Sequence, residues 1–329
     1  MLPETMKTVE IREPGGPDVL QAGTRPVPHP GAGEVLIRVA AAGVNGPDIL
    51  QRRGHYPPPR GASDLLGLEV SGTVAALGAD VADWAPGDPV CALTNGGGYA
   101  EYVAVEATHC LPLPDGLGLT DAAGLCETFF TCWSNLFLDH TPDPDQILLV
   151  HGGAGGIGST AIQLGRQMGM RVLATCSADD AAYVRTLGAE RAIDYAHEDF
   201  VSITRDAGAA SLILDIIGGD YVARNIKAAA PDARIVQLAF RAGSKIEIDL
   251  MNVMLKRLVY TGSTLRSRPS AFKTRTAADL RRRVWPWLAS GAVRTHTHQV
   301  FSFDAASQAH AMMEAGDHRG KLLITPEAP

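Results

Sequence analysis

The stretch of residues 146–177 constrains the fold more than any other part of the chain. It begins with an apolar run at residues 147–150, which is followed by a glycine-rich turn at residues 151–158. Apolar residues then recur at helical spacing across residues 157–168, and a second apolar run follows at residues 171–176. A strand, a glycine turn, a helix and a second strand make up a βαβ unit, from which parallel sheets are built.

The turn of this unit contains the pattern Gly153-x-Gly155-x-x-Gly158. One glycine allows the tight turn, one lets backbone N–H groups approach a pyrophosphate, and one lets the helix and the strand pack closely. The N-terminus of the following helix presents unpaired N–H donors and a favourable dipole to phosphate groups. The pattern therefore predicts that a dinucleotide binds at the turn, to Gly153, Ala154, Gly155, Gly156, Ile157 and Gly158.

The rest of the sequence predicts two domains. Short strand-like runs separated by Gly and Pro occupy residues 1–126, which is typical of a compact, mostly β domain. Predicted strands and helices alternate over residues 127–296, which is typical of a doubly wound, mostly parallel sheet. Residues 297–329 return to strand, helix and strand without a glycine turn, and we expect them to complete the first domain.

Composition and charge exclude several classes of function. The net charge of −7 over 329 residues argues against a nucleic-acid partner. No apolar run reaches membrane-spanning length, and the N-terminus lacks the basic and then apolar pattern of a signal peptide, so we expect a cytoplasmic protein with no membrane partner. The five cysteines are scattered without a CxxC pair, which predicts free thiols and neither disulfides nor a thiolate zinc site.

Further motifs resemble those of a known family. Residues 45–48 (NGPD) and 53–57 (RGHYP) resemble the NxxD and RxGxYP motifs of quinone oxidoreductases in the medium-chain dehydrogenase/reductase superfamily. Residues 67–72 resemble the G-x-E-x-x-G that follows, and residues 214–219 and 320–323 fit the same family at the right intervals. The chain is most similar to the zeta-crystallin-type, NADPH-dependent quinone reductases.

This resemblance implies an α/β fold in which a Rossmann doubly wound parallel sheet is inserted in a GroES-like, mostly β domain. It also implies a homodimer and hydride transfer from NADPH to a quinone or another α,β-unsaturated carbonyl compound. Two alternatives remain open. One is an enoyl-thioester reductase of the same superfamily, and the other is a non-catalytic NADPH-binding protein, as some lens crystallins of this family are.

The chain departs from the zinc alcohol dehydrogenases of the superfamily at the ligand positions. Asp48 stands where those enzymes have a cysteine, Leu68-Glu69 stands where they have His-Glu, and the four-cysteine structural lobe is missing. Zinc needs three or four soft or imidazole ligands around one ion, so we expect no metal. A conjugated acceptor depends less on a Lewis acid, because its π-system delocalises the developing charge.

The resemblance also implies roles for individual residues. Asn45 and Tyr56 would lie near the nicotinamide, where either side chain would stabilise a developing oxygen anion. For Tyr56 the alternative is an aromatic packed among prolines, and for Asp48 the alternative to orienting its neighbours is turn capping. Phe240 has a core position as its alternative. Cofactor-binding residues expected outside the glycine turn are Thr131, Cys176, Ser177, Tyr195, Leu238, Phe240, Thr264, Leu265 and Arg266.

The end of the second strand bears on the choice between NADPH and NADH. An NAD-preferring site presents an acidic side chain there, whereas this chain has Cys176 and Ser177, which are small and neutral. The Ser177 hydroxyl suits a 2′-phosphate, and the sequence therefore predicts NADPH. Asp179 and Asp180 oppose this prediction by like-charge repulsion, unless they point away or Arg185 compensates. The sequence does not identify the physiological acceptor.

Overall fold

The computed structural model describes residues 2–327, and the chain divides into two compact units. The second unit is Thr131–Leu265, and the first unit combines the segments before and after it. The first unit is therefore made from both ends of the chain. Met1, Ala328 and Pro329, which belong to the predicted first domain, lie outside the described residues.

The first unit is dominated by β-strands, numbered here along the whole chain. These strands are β1 (Thr5–Ile11), β2 (Leu20–Pro26), β3 (Glu34–Val44), β4 (Glu69–Leu77), β5 (Pro89–Leu93), β6 (Tyr102–Glu106), β7 (Cys110–Pro112), β14 (Thr297–Ser302) and β15 (Lys321–Thr325). β1 and β2 form an antiparallel pair, and the other strands form one sheet in the order β14-β15-β3-β4-β5-β7, with β6 also paired to β3. The C-terminal strand β15 thus lies beside β3 and completes the sheet.

The alternation of side chains along β3 explains why this strand is central. Val35, Ile37 and Val39 belong to one buried cluster, whereas Leu36 packs with Met6 in a second cluster. Successive side chains of a strand point to opposite faces of the sheet, so both faces of β3 are covered. The strand is held in register by apolar contacts on two sides.

Helices of the first unit connect and cover these strands. They are α1 (Gly46–Arg52), α2 (Leu119–Ala122), α9 (Ser270–Arg283), α10 (Trp285–Ala289) and α11 (Ala306–Ala315), and α3 (Cys126–Leu136) continues into the second unit. α1 begins directly after β3, with Asn45 as its N-cap and Pro47 in its first turn. The Asp48 side chain accepts a hydrogen bond from the Asn45 N–H at 2.9 Å, which fixes the start of this helix.

The second unit is a parallel sheet with helical connections. Its strands are β8 (Ile147–His151), β9 (Arg171–Cys176), β10 (Arg191–Asp194), β11 (Ala210–Asp215), β12 (Ala229–Gln237) and β13 (Val259–Gly262). Its other helices are α4 (Gly156–Gln167), α5 (Ala181–Thr186), α6 (Phe200–Asp206), α7 (Tyr221–Ala228) and α8 (Met251–Leu255). The strand order is β10-β9-β8-β11-β12-β13, and every pair is parallel. This is the doubly wound Rossmann order, with its switch point between β8 and β11, and it confirms the predicted fold class.

The boundary between the units differs from the predicted one at residues 266–296, which were expected in the cofactor-binding domain. Lys273 of α9 donates a hydrogen bond to Asn95 Oδ1 at 2.7 Å, and the Trp285 indole N–H donates to the Pro112 carbonyl at 2.6 Å. These partners belong to the first unit, so tertiary contacts group this helical segment with it. Within residues 2–327, no helix combines the length and apolar character needed to cross a membrane.

Candidate functional site

The glycine turn of the second unit joins β8 to α4. A Cβ atom at position 158 would lie 2.1 Å from the Gly152 oxygen and 2.7 Å from the Gly153 Cα, so only glycine lets the helix start against the turn. At position 155, by contrast, a Cβ atom would meet only the Gly152 oxygen, at 3.8 Å. Gly158 therefore serves close packing, and the space beside Gly155 is open to a ligand.

The start of α4 presents backbone donors to that space. The N–H groups of Gly156, Ile157 and Gly158 have no acceptor within the described residues. Unpaired N–H groups at a helix N-terminus, together with the helix dipole, favour a bound anion. The free donors and the open approach fit the pyrophosphate of a dinucleotide.

A buried hydrogen-bond chain lies beside the turn. The Gly152 N–H donates to Thr175 Oγ1 at 3.3 Å, and this hydroxyl is 3.1 Å from His151 Nδ1. His151 Nε2 is 2.7 Å from Asn225 Oδ1, and Asn225 Nδ2 donates to Asp215 Oδ2 at 2.9 Å. Burial lowers the pKa of His151 to about 4, so the ring is neutral and its N–H on Nε2 donates to Asn225. The chain couples the end of β8 to the end of β11 at the switch point.

The end of β9 differs in detail from the expectation for a 2′-phosphate site. Cys176 is buried, and the Ser177 hydroxyl donates to Asp180 Oδ2 at 2.7 Å while accepting from the Asp180 N–H at 3.3 Å. Asp180 thus faces Ser177 and does not point away from it. Tyr195 is 54% exposed, and its N–H donates to the Cys176 carbonyl at 3.1 Å. The Asp180 carboxylate therefore lies beside Ser177, in the arrangement that opposes a 2′-phosphate.

The other predicted cofactor residues of the second unit follow strand ends, with one exception. Leu238 and Phe240 follow β12, and Thr264 and Leu265 follow β13. Ligands of doubly wound sheets bind at the carboxyl ends of the strands, which is where these four residues lie. Phe240 is 46% exposed, which places it outside the core. Thr131 lies on α3 and is half-buried.

Lys321, Glu69 and Asn45 form a triad of polar side chains at the junction of β3, β4 and β15 in the first unit. Lys321 Nζ forms an ion pair with Glu69 Oε1 and donates a hydrogen bond to Asn45 Oδ1, both at 2.6 Å. Asn45 Nδ2 donates to the same Glu69 oxygen at 2.9 Å. Lys321 also donates to the Val44 carbonyl at 3.2 Å, and Glu69 Oε2 accepts from the Glu127 N–H at 2.8 Å. Glu69 is completely buried, so this buried charge is paired and hydrogen-bonded.

The three predicted catalytic residues, Asn45, Asp48 and Tyr56, differ in the hydrogen bonds that they make. The Asn45 amide is engaged by the triad, and the two oxygens of Asp48 accept backbone N–H groups of Asn45 (2.9 Å) and Gly67 (3.0 Å). Burial raises the pKa of Asp48 to about 6, although both hydrogen bonds oppose this. The Tyr56 hydroxyl has no hydrogen-bond partner within residues 2–327, and its pKa is raised by burial and by the nearby Glu127 charge.

The positions that hold zinc in related dehydrogenases do not fit a metal here. Asp48 and Glu69 are already occupied by the hydrogen bonds described above, and Leu68 is buried and has no donor atom. Across the described chain, no group of three or more His, Cys, Asp or Glu residues is arranged to hold a metal ion. All five thiols are free and buried.

Arg266, which was predicted at the cofactor, belongs to the first unit and is held by its neighbours. Its guanidinium donates to Gln51 Oε1 at 2.6 Å and twice to the Asn95 carbonyl, at 2.9 and 2.6 Å. The guanidinium carbon lies 5.7 Å from the centre of the Tyr56 ring. Lys273 donates to the Arg266 carbonyl at 2.9 Å and to Asn95 Oδ1. Arg266 therefore borders Tyr56 while its guanidinium is tied to the protein.

Sequence reasoning missed the pairing of Glu69 with Lys321 and the position of Glu127. Glu69 and Lys321 stand in motifs that carried the family resemblance, but the residues are far apart along the chain and no local pattern joins them. Glu127 lies in the first turn of α3, where a carboxylate is common for the helix dipole alone. Only the fold brings these three residues together.

Known proteins similar to this chain include two curated relatives and one solved structure. A quinone oxidoreductase from Pseudomonas aeruginosa is 28% identical over 97% of this chain and 99% of its own length. A phenolphthiocerol/phthiocerol polyketide synthase protein from Mycobacterium tuberculosis is 26% identical over 96% of this chain, which spans 15% of that protein. The structure of Escherichia coli quinone oxidoreductase complexed with NADPH matches with a TM-score of 0.87, at 25% identity, over 97% of this chain and 100% of that one.

Two family models match different segments of the chain. The alcohol dehydrogenase GroES-like domain matches residues 31–115, and the zinc-binding dehydrogenase family matches residues 187–324. Together they cover more than half of the sequence and parts of both structural units. These matches, the relatives and the strand order agree with one another. The chain is an oxidoreductase of the medium-chain dehydrogenase/reductase superfamily and belongs to its zeta-crystallin-type branch.

Proposed function

We propose that the protein transfers hydride from NADPH to a quinone or another α,β-unsaturated carbonyl compound, and that it does so without a metal ion. The glycine turn carries this proposal, because its unpaired N–H groups and open approach fit a dinucleotide pyrophosphate. The metal-free part is supported by Asp48 and Glu69, whose carboxylates are committed to backbone donors, Asn45 and Lys321. The likeness to quinone oxidoreductases supports the class of acceptor.

The bound nicotinamide would supply the hydride, and the protein residues would place the acceptor and stabilise its oxygen. Hydride addition to a quinone or enone moves an electron pair onto the carbonyl oxygen. Tyr56 has a free hydroxyl that is able to donate a hydrogen bond to this oxygen, a contribution of about 3 kcal/mol for one well-placed donor. The Asn45 amide acts through the triad, in which it holds Glu69 and Lys321 in place.

A second candidate is reduction of an enoyl thioester. The similarity to a polyketide synthase protein over 96% of this chain favours it. The same hydride chemistry applies, because a thioester carbonyl also accepts the electron pair of a conjugated double bond. The acceptor therefore decides between the two candidates.

The test is consumption of NADPH, followed by its near-ultraviolet absorbance, with a panel of quinones, enones and enoyl thioesters. We expect kcat/KM to be highest for a quinone or a simple enone, and activity to survive treatment with a metal chelator. A preference for enoyl thioesters would select the second candidate. Tight NADPH binding without turnover of any acceptor would contradict both and favour a binding protein.

Asp180 supplies a test of the cofactor proposal. The neutral Cys176 and the likeness to an NADPH complex support NADPH, but the Asp180 carboxylate at Ser177 would repel a 2′-phosphate. Asp180→Asn keeps an oxygen for the Ser177 hydroxyl and removes the charge. We expect it to raise the ratio of kcat/KM for NADPH over NADH about tenfold, which corresponds to about 1.4 kcal/mol.

Asp179→Asn is the matched control, because it removes the same charge from an exposed neighbour. It should change the ratio less than Asp180→Asn does. An unchanged ratio in Asp180→Asn would show that this carboxylate does not face the 2′ position. Wild-type preference for NADH would overturn the choice of NADPH.

The homodimer is supported by the exposed edge of the parallel sheet. β13 pairs only with β12 in the described structure, and Leu250, Met251, Met254 and Leu255 in and beside α8 are all more than half exposed. Parallel sheets are normally covered, and an exposed strand edge with apolar neighbours favours association. We propose that a second copy of this chain covers this edge.

Changing both Met254 and Leu255 to lysine should convert the dimer into a monomer of 34.7 kDa, because the charges would be desolvated in the contact. Sedimentation equilibrium measures the mass. Leu50→Lys, at an exposed apolar position of the first unit, should leave the dimer intact. A dimer that persists in the double variant would place the contact elsewhere on the protein. A monomeric wild type would refute the proposed homodimer.

A further inference from the structure

Glu127 lies next to the triad of Lys321, Glu69 and Asn45 in the first unit. It lies in the first turn of α3, is half-buried, and donates its backbone N–H to Glu69 Oε2 at 2.8 Å. Its own carboxylate accepts no hydrogen bond from any residue between 2 and 327. A desolvated carboxylate without a donor is costly, which favours the neutral acid.

The charged groups around Glu127 are committed to other partners. Lys321 is ion-paired with Glu69 and donates hydrogen bonds to Asn45 and to the Val44 carbonyl. Lys273 donates to Asn95 and to the Arg266 carbonyl, and the Arg266 guanidinium donates to Gln51 and Asn95. The carboxylates of Asp48 and Glu69 accept their own donors. No neighbouring cation within the described chain is therefore hydrogen-bonded to Glu127, and two neighbouring carboxylates oppose its ionisation.

The electrostatics agree with this geometry. Burial, followed by the negative charge of Glu69, raises the pKa of Glu127 to about 8, while Lys321 and Lys273 act in the opposite direction. The negative charge of Glu127 also raises the pKa of Tyr56, which places the two groups in the same electrostatic neighbourhood. These two side chains carry polar atoms that the described protein leaves without hydrogen-bond partners. One of them is a carboxylic acid that keeps its proton at neutral pH.

We propose that the Glu127 carboxyl is the proton donor for the reduced substrate. This inference rests on the proposed function. Hydride adds to the acceptor carbon, and the electron pair of the π-bond moves onto the carbonyl oxygen. The O–H bond of Glu127 then breaks, and its proton forms a bond to that oxygen. The carboxylate regains a proton from water, so one hydride and one proton are consumed per acceptor. Tyr56 hydrogen-bonds to the same oxygen and keeps its proton.

Glu127→Gln tests this proposal, because it preserves size and hydrogen-bonding capacity but has no proton to transfer. Loss of a general acid should lower kcat with NADPH and a quinone about a hundredfold. Wild-type kcat should fall as the pH rises through about 8, and this alkaline decline should be absent from the variant. The solvent deuterium isotope effect on kcat should also differ between the wild type and Glu127→Gln. NADPH affinity and the melting temperature are measured as controls, and NADPH affinity should stay the same.

Glu127→Asp is the conservative partner variant. It retains a carboxylic acid, so it should keep the alkaline decline and have a rate between those of the wild type and Glu127→Gln. A purely structural role would instead lower NADPH affinity in both variants and leave the pH profile unchanged. If Glu127→Gln fails to fold, the pH profile of Glu127→Asp tests the proposal instead.

The free protein offers a readout that does not depend on turnover. An infrared titration should show a protonated carboxyl that ionises near pH 8 and disappears in Glu127→Gln. The proposal is wrong if no carboxyl titrates above neutrality, or if Glu127→Gln keeps the wild-type rate and pH profile. In those cases the reductase activity itself would stand. A wild-type protein that reduces no acceptor would instead refute the proposed function.

Discussion

Lys321→Met is expected to destabilise the protein by about 3–5 kcal/mol, the usual cost of removing one partner of a buried ion pair. Glu69 is completely buried, and Lys321 lies 2.6 Å from its Oε1 atom. Methionine fills a similar volume but has no charge and no donor. The variant therefore leaves a buried carboxylate with only the Asn45 amide and one backbone N–H. Denaturant unfolding, monitored by circular dichroism, measures the loss.

A double-mutant cycle separates the ion pair from its surroundings. Glu69→Gln combined with Lys321→Met removes both charges, and we expect the double variant to be more stable than Lys321→Met alone, because no unpaired charge stays buried. Arg257→Met is the matched control, since it breaks an ion pair with Asp232 in which both side chains are exposed. It should have little effect. A Lys321→Met protein as stable as that control would show that the triad is not important for stability.

Gly158→Ala is expected to weaken NADPH binding on the order of a hundredfold, about 2.7 kcal/mol. The added Cβ would lie 2.1 Å from the Gly152 oxygen and 2.7 Å from the Gly153 Cα, so the backbone of the turn must move. That movement misplaces N–H donors, and each hydrogen bond to a charged phosphate contributes about 1.5–3 kcal/mol. Overpacking should also lower stability by about 1–3 kcal/mol. Fluorescence titration with NADPH and thermal unfolding measure the two effects.

Gly155→Ala is the matched control within the same turn. Its Cβ would meet only one protein atom within 4 Å, at 3.8 Å, so we expect wild-type stability. NADPH affinity should nevertheless fall, because the methyl group occupies the space through which the pyrophosphate approaches. The two variants thus separate a packing glycine from a ligand-facing one. Wild-type NADPH affinity in both would place the dinucleotide away from this turn.

Much of the second unit was predictable, because its signals are local. The spacing of apolar residues that indicates a strand or a helix is visible within a few residues. The glycine pattern lies directly between β8 and α4. The structure confirms the parallel, doubly wound sheet. Local signals are weaker where turn residues lie within or between short helices. Pro47 lies inside the short helix α1, and residues 123–125 separate α2 from α3.

The carboxyl end of β9 shows the limit of interpreting one sequence position at a time. The sequence identified Ser177 and Asp180, but their hydrogen bond depends on the turn that follows the strand. The sequence likewise contained His151, Asn225 and Asp215 without a sign that they form one chain. Side chains from different strands and helices meet only after the sheet has formed.

The sequence by itself therefore determined the fold class, the glycine turn and the identities of the polar residues. The tertiary structure decided which of those residues meet, and for Asn45, Glu69 and Lys321 the deciding factor is strand register. β15 pairs with β3 so that Leu322 lies opposite Val44, which brings Lys321 next to Asn45. β4 pairs with β3 on the other side, which brings Glu69 to the same place. No local pattern encodes such contacts, because they arise from hydrogen bonding between strands that lie far apart in the chain.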